Sequence, residues 1–206
     1  GNIVLVATAG SITLNDGTDG VDSAGDGTAV SADGSGNILL DAQSGSLIAN
    51  ADILGGSGHV TLKAANDITL DGEVAVTTAA AGTISLDAEG TIAMAERAVL
   101  SSTDGDIRVE AGTSLLSDTI TAGQGSVALV AGSTIADRDG VSLISASGLL
   151  LDAGSTIGTA ANVLNTSVDI LSTASAGAQF LTESAGVTVG PVTVAVNGGT
   201  AHALVR

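Results

Sequence analysis

The sequence predicts an all-β protein: a right-handed parallel β-helix, a solenoid of about nine triangular rungs of roughly 22 residues. Three observations carry that expectation. A seven-residue string recurs along the chain, as GNIVLVA from Gly1, GNILLDA from Gly36, GHVTLKA from Gly58, GTISLDA from Gly82, GDIRVEA from Gly105 and GSVALVA from Gly125. SGLLLDA from Ser147 and TSVDILS from Thr166 continue it without the leading Gly, and a degenerate SAGVTVG near Ser184 adds one more. From Gly36 to Thr166 the intervals are 22, 24, 23, 20, 22 and 19 residues, a rung length. Within each string apolar and polar residues alternate, the two-residue period of a strand with one buried face.

The first strand of each rung follows from that alternation. Ile3, Ile38, Val60, Ile84, Ile107, Val127, Leu149 and Val168 hold its third position. Leu5, Leu40, Leu62, Leu86, Val109, Leu129, Leu151 and Ile170 hold the fifth, and Ala7, Ala42, Ala64, Ala88, Ala111, Ala131 and Ala153 the seventh. Stacked rungs turn these into columns of like side chains. A second strand follows ten or eleven residues later, marked by Ile12, Leu47, Ile68, Ile92, Leu115, Ile135 and Ile157. A third is expected around Ile53, Val74, Val99, Ile120, Val141 and Val163. A register shared by every rung requires parallel pairing, and parallel crossovers are right-handed. Nine rungs at about 4.8 Å make a rod of about 40 Å.

The whole chain, 1–206, reads as one β-helix segment with two irregular stretches. Gly1 to Gly36 spans 35 residues, which places an acidic, Gly-rich insertion at 15–35. After Ser172 the motif degenerates through residues 173–206. The chain opens on Gly1 with neither Met nor a signal peptide, as a piece of a longer protein would. Both terminal edges are expected to be open, so its partners would be further β-helical repeats of the same parent chain or other copies of itself.

Composition narrows the function. Glycine supplies 29 residues and the only aromatic is Phe180, yet 44% of the chain is hydrophobic. Such a chain builds an aliphatic core, with glycine where corners need positive φ or close backbone approach. Without Cys there are no disulfides and no thiolate metal site. The net charge of −17 argues against nucleic acid as a partner and against anionic lipid. No apolar run approaches a membrane-spanning length, so membrane insertion is not expected.

GNIVLVATAGSITL and GTISLDAEGTIAM resemble the repeats of filamentous-haemagglutinin-type exoproteins and related giant bacterial surface adhesins. The resemblance covers most of residues 1–170 and fades in QFLTESAGVTVGPVTVAVNGG. It implies a β-helical shaft secreted across the outer membrane of a Gram-negative cell, in some members by a two-partner route, and a secreted or cell-surface location. The function expected is therefore structural: a shaft segment of an adhesin or matrix exoprotein that holds distance and presents loops to a cell-surface or matrix ligand, without catalysis. The first alternative is a self-assembling surface filament or layer. The second is a polysaccharide-active enzyme, since many lyases and hydrolases use this fold.

Candidate sites are few. An enzyme of that kind needs convergent carboxylates, a base and aromatic platforms. The chain offers Lys63, Arg97, Arg108, Arg138 and Arg206. Arg108, placed outward beside Asp106 and Glu110 with Lys63 and Asp87 on nearby rungs, reads as cross-strand charge pairing on a solvated face. Asp137 and Asp139 around Arg138 read as a polar turn. His59 and His202 are isolated and make no metal site. The insertion carries Asp16, Asp19, Asp22, Asp26 and Asp33 with no cation among them. It is either a solvated acidic loop or a calcium site with Asp19 and Asp22 central and Asp16 and Asp26 flanking, calcium being the one cofactor in view.

Overall fold

The computed structural model describes residues 1–17 and 27–197, together with the backbone of 202–203. Its strands stack as parallel coils in about seven turns, without a helix among the described residues. Each regular turn contributes a strand to each of three faces. The first face stacks Ile3–Ala7, Ile38–Ala42, Val60–Ala64, Ile84–Ala88, Ile107–Ala111 and Ser126–Ala131, every pair parallel. The second stacks the three-residue strands Ile12–Leu14, Leu47–Ala49, Ile68–Leu70, Ile92–Met94, Leu115–Ser117 and Ile135–Asp137. The third stacks Thr28–Ser31, Asp52–Leu54, Ala75–Thr78, Val99–Ser102 and Thr119–Thr121. Its first member lies inside the 15–35 stretch and pairs through a register irregularity.

The columns are those of the repeat for most of the rod. Ile3, Ile38, Val60, Ile84, Ile107, Val127 and Leu149 pair in unbroken register, as do the Leu/Val column from Leu5 to Leu151 and the Ala column from Ala7 to Ala153. The second-face column runs from Ile12 through Ile135, extended by bridges to Ile157 and Gln179. Apart from Leu5 at the first edge and the exposed Gln179, these side chains form one continuous aliphatic core. Each fully buried large aliphatic contributes about 1.5–3 kcal/mol, and only a stacked neighbour can bury it.

The leading Gly of the string has a steric cause. Gly36, Gly58, Gly82, Gly105 and Gly125 form a column in which a Cβ would run into the carbonyl oxygen of the equivalent Gly one turn earlier. None of the five has positive φ. Close approach between turns, not backbone conformation, excludes a side chain there.

Three sequence expectations are corrected. The rod has about seven turns rather than nine: near Ser184 only the two-residue strand Thr188–Val189 stacks, in parallel on Ile170–Leu171, and no full turn follows it. On the third face the inward column is Ile53, Val76, Leu100, Ile120 and Ile144, not Val99, Val141 and Val163. Corners before this face differ in length, and Val141, in the corner between Asp137 and Leu143, is exposed. The third correction is in the last full strand. Leu143–Ala153 and Leu164–Ser175 are long enough to turn a corner and serve the third and first faces in succession. In the second of them Leu171, Thr173 and Ser175 oppose Leu149, Leu151 and Ala153. Val168 and Ile170 therefore fall three residues short of the columns they were expected to fill, and Ile170 is 38% exposed.

Beyond Leu181–Glu183 the chain still stacks Thr188–Val189 in parallel on Ile170–Leu171, and only then turns back. Val192, Val194 and Val196 pack on Ala128 and Leu150, forming a second, separate apolar cluster on the outer surface of the first face. Thr193–Val194 pairs antiparallel with His202–Ala203, the one antiparallel ladder among the described residues.

Candidate functional surfaces

The residue just before the first inward aliphatic of each first-face strand is polar: Asn2, Asn37, His59, Thr83, Asp106, Ser126. Identical register stacks these six into an axial column on the outer edge of the first face. The Asn37 amide donates to Asn2 Oδ1 at 2.9 Å, and the His59 amide donates to Asn37 Oδ1 at 3.0 Å. The Thr83 amide donates to His59 Nδ1 at 3.1 Å, and the Ser126 amide to Asp106 Oδ1 at 2.8 Å. An Nδ1 that accepts an amide proton leaves its ring proton on Nε2, and the Thr83 hydroxyl lies 2.9 Å from the same nitrogen. His59 is half-buried in this ladder, so its role is to join neighbouring turns.

Beside the ladder runs the first outward column of the face: Thr61, Ser85, Arg108, Ala128 and Leu150 in register. From Ser85 to Leu150 it is buried, although its side chains point away from the core. The cover is the strap Val192–Asn197. Its valines sit on Ala128 and Leu150, the Ala195 amide donates to Asp106 Oδ2 at 2.8 Å, and the Asn197 amide donates to Thr83 Oγ1 at 3.1 Å. Six extended residues reach about 20 Å, enough to cross the turns of Leu150, Ala128, Asp106 and Thr83 at about 4.8 Å per turn. Below Asn197 the same flank is open. A cleft of about 430 Å³ continues the line of the strap, lined by Asn2, Asn37, Leu39, His59, Lys63 and Asn197.

Arg108 therefore does not lie on a solvated face: it is 6% exposed. Its guanidinium pairs with Glu110 through Nη2, while Nε has no partner. Burial pulls the guanidinium below its ordinary value, and the nearby Asp87 carboxylate opposes that. Lys63 stands in register between Asp41 and Asp87, exposed to solvent. The Arg97–Glu73 pair, 2.7 Å apart, is exposed at a corner where both residues have positive φ.

The turn around Arg138 is only partly the polar surface expected. Asp139 is exposed, and the Val141 and Ser142 amides and the Ser142 hydroxyl donate to its Oδ1, which holds its carboxyl below the usual range. Asp137 is 3% exposed: its Oδ1 accepts the Asp139 amide and its Oδ2 has no partner. Burial pushes its carboxyl up. Arg138 Nε donates to the Met94 carbonyl at 2.8 Å, tying the corner to an earlier turn.

Of the candidate calcium ligands, Asp16 is exposed, and Asp19, Asp22 and Asp26 lie outside the described residues. Among the described residues no group of three or more His, Asp or Glu side chains is placed to hold a metal ion. His202 is described by its backbone alone.

Stacked parallel coils, three faces and an aliphatic interior define the class: this is a parallel β-solenoid. No family model, no curated protein and no solved structure matches the chain. The ladder and the strap are thus the features by which this solenoid is known from its own residues.

Proposed function

We propose that the chain is a structural shaft segment of a bacterial extracellular adhesin or matrix exoprotein, which sets distance and presents loops and carries out no catalysis. The observation that supports this most is the uniformity of the rod. From Gly36 to Ala153 every turn repeats one register, and the cationic side chains it carries are spent on ion pairs or corner contacts or stand singly. The repeats resemble those of secreted adhesins, and such a shaft works outside the cell. Antibodies against the chain, applied to intact producing cells, test the reading together with electron microscopy of the surface projections. Surface labelling and projections shortened by removal of the segment are expected. Exclusively intracellular protein, or release of oligosaccharides from acidic glycans, overturns it.

A second reading, a filament whose rods stack end to end, is favoured by one particular. Ile3–Ala7 is the edge of its sheet, and Leu5 of the core column is 44% exposed there, beside exposed Val4 and Val6. Sedimentation over a wide concentration range distinguishes the two: growing linear assemblies favour stacking, and a constant mass removes it.

A further inference from the structure

We propose that the strap Val192–Asn197 is exchangeable between molecules: the flank it covers is a strand-binding groove, and its second occupant is the strap of another copy. The groove's chemistry is given by what fills it. It takes an extended segment whose alternate β-branched side chains face Ala128 and Leu150, and whose amides between them meet Asp106 Oδ2 and Thr83 Oγ1. Every one of those contacts belongs to the outer surface of the rod, and none is shared with the axial core. Leaving the groove therefore opens a small satellite cluster and leaves the columns intact.

The movement would open at Gly190–Pro191. Ser184 to Val189 is exposed throughout, with Val189 81% exposed. Just before the strap, only the two-residue ladder of Thr188–Val189 on Ile170–Leu171 and the Gly190 amide on the Leu171 carbonyl tie the chain to the rod. The strap lies across turns far earlier in the chain, with 89 residues between Asp106 and Ala195 and 114 between Thr83 and Asn197. A segment held to its groove only by such contacts binds the same groove on a second molecule with the same partners, the condition for domain exchange. The open cleft below Asn197 leaves room for an incoming strap to enter along the same line. Two copies each carry a net charge of −17, so the exchange is expected at physiological or higher salt, where repulsion is screened within about 8 Å.

Complementation between two full-length variants tests this. Leu150→Asp spoils the groove and leaves the strap; Val194→Asp spoils the strap and leaves the groove. Both must keep the β-sheet circular dichroism spectrum and a cooperative melt, which the separateness of the two clusters predicts. Ala128→Asp and Ala195→Pro replace either one that does not. Exchange predicts a one-to-one heterodimer when the two are mixed, about tenfold more abundant than any dimer of either variant alone. A mixture of folded variants that stays monomeric overturns the proposal, as does equal self-association of each variant. Either failure leaves the shaft reading standing, because that reading rests on the columns and not on the strap.

Discussion

The stretch from Gly36 to Ala153 and the stretch from Leu164 to Asn197 use the same residue types and solve different problems. In the first, one register holds through six first-face strands, and glycine, large aliphatic and alanine each keep their own column. In the second, the ladder keeps one offset but the apolar motif is displaced against it by three residues, Thr173 and Ser175 stand where Leu and Ala stood, and the chain turns back over the outside. Glu183, in the short strand stacked next, adds side-chain bonds to the ladder: its carboxylate accepts from the Thr166 hydroxyl at 2.7 Å and from the Val168 amide at 3.2 Å. A repeat holds its register where it is buried between two neighbours. Leu164–Ser175 is covered on its far side only by the short strands Leu181–Glu183 and Thr188–Val189, so the constraint relaxes there and side chains supplement strands.

The sharpest way to break this contrast is deletion. Removing Gly58–Ala81, a whole turn, brings Ile38–Ala42 against Ile84–Ala88 with every column intact, and a cooperative β-rich melt is expected. Removing Gly58–Thr69 throws first-face residues onto the second face and should abolish cooperative folding. Equal loss in both, read by circular dichroism, would mean that the turn is not the structural unit.

Single substitutions grade the same comparison. Leu86→Asp puts a charge between Leu62 and Val109 in a dry core and should cost about 4 kcal/mol or more. Ile170→Asp, at a position the repeat pattern equates with Leu86, should cost less than about 1 kcal/mol because the side chain meets water. Urea denaturation of both decides it, and similar losses would restore the register expected from the pattern.

Glycines give a smaller effect of the same kind. Gly105→Ala drives a methyl into the Gly82 carbonyl and should cost about 1–3 kcal/mol through overpacking. Gly186→Ala, with nothing within 4 Å of its new carbon, should be neutral in a thermal melt. The smallest effect expected is at Asp137. A carboxyl raised on folding binds its proton more tightly in the folded state, so its contribution to stability falls as pH rises from the ordinary carboxylate range through the raised value. Asp137→Asn removes that part of the slope, and parallel stability–pH curves for the two proteins would contradict the burial of this carboxyl.

The architecture was legible because a buried two-residue alternation repeated at a near-constant interval admits few folds. The first-face and second-face columns could be read from Ile, Leu and Ala spacing alone. The third face could not, because its corners vary in length and its strands carry Thr and Ser beside the aliphatics. TSVDILS misleads for a related reason: two apolar residues at the right separation satisfy the pattern wherever the register falls. The ladder was present in the strings as the residue after each leading Gly, N, N, H, T, D and S, but its meaning depends on stacking. The strap left a fainter trace. GSVALVA and SGLLLDA put Ala128 and Leu150 at outward positions where the third and fourth strings place Thr61 and Ser85. Val4 at the same position of the first string stays exposed, so an apolar residue facing out is only a hint of a cover. Alternation in PVTVAVN identifies a strand but not the surface it crosses, and that separation in sequence is why Arg108 reads as solvated.

The turn height has a mechanical consequence. Each turn advances the rod by about 4.8 Å, yet its roughly 22 residues measure about 75 Å when drawn straight. A rod under tension from its ends would thus yield in discrete lengths of about 70 Å, one turn peeling away while those beneath keep their neighbours. The strap changes the order of events at one end. Pulling on the chain beyond Asn197 loads four turns in shear through Asp106, Thr83 and the valines before it loads the last turn, so the first extension is the strap's release and only later ones consume the shaft.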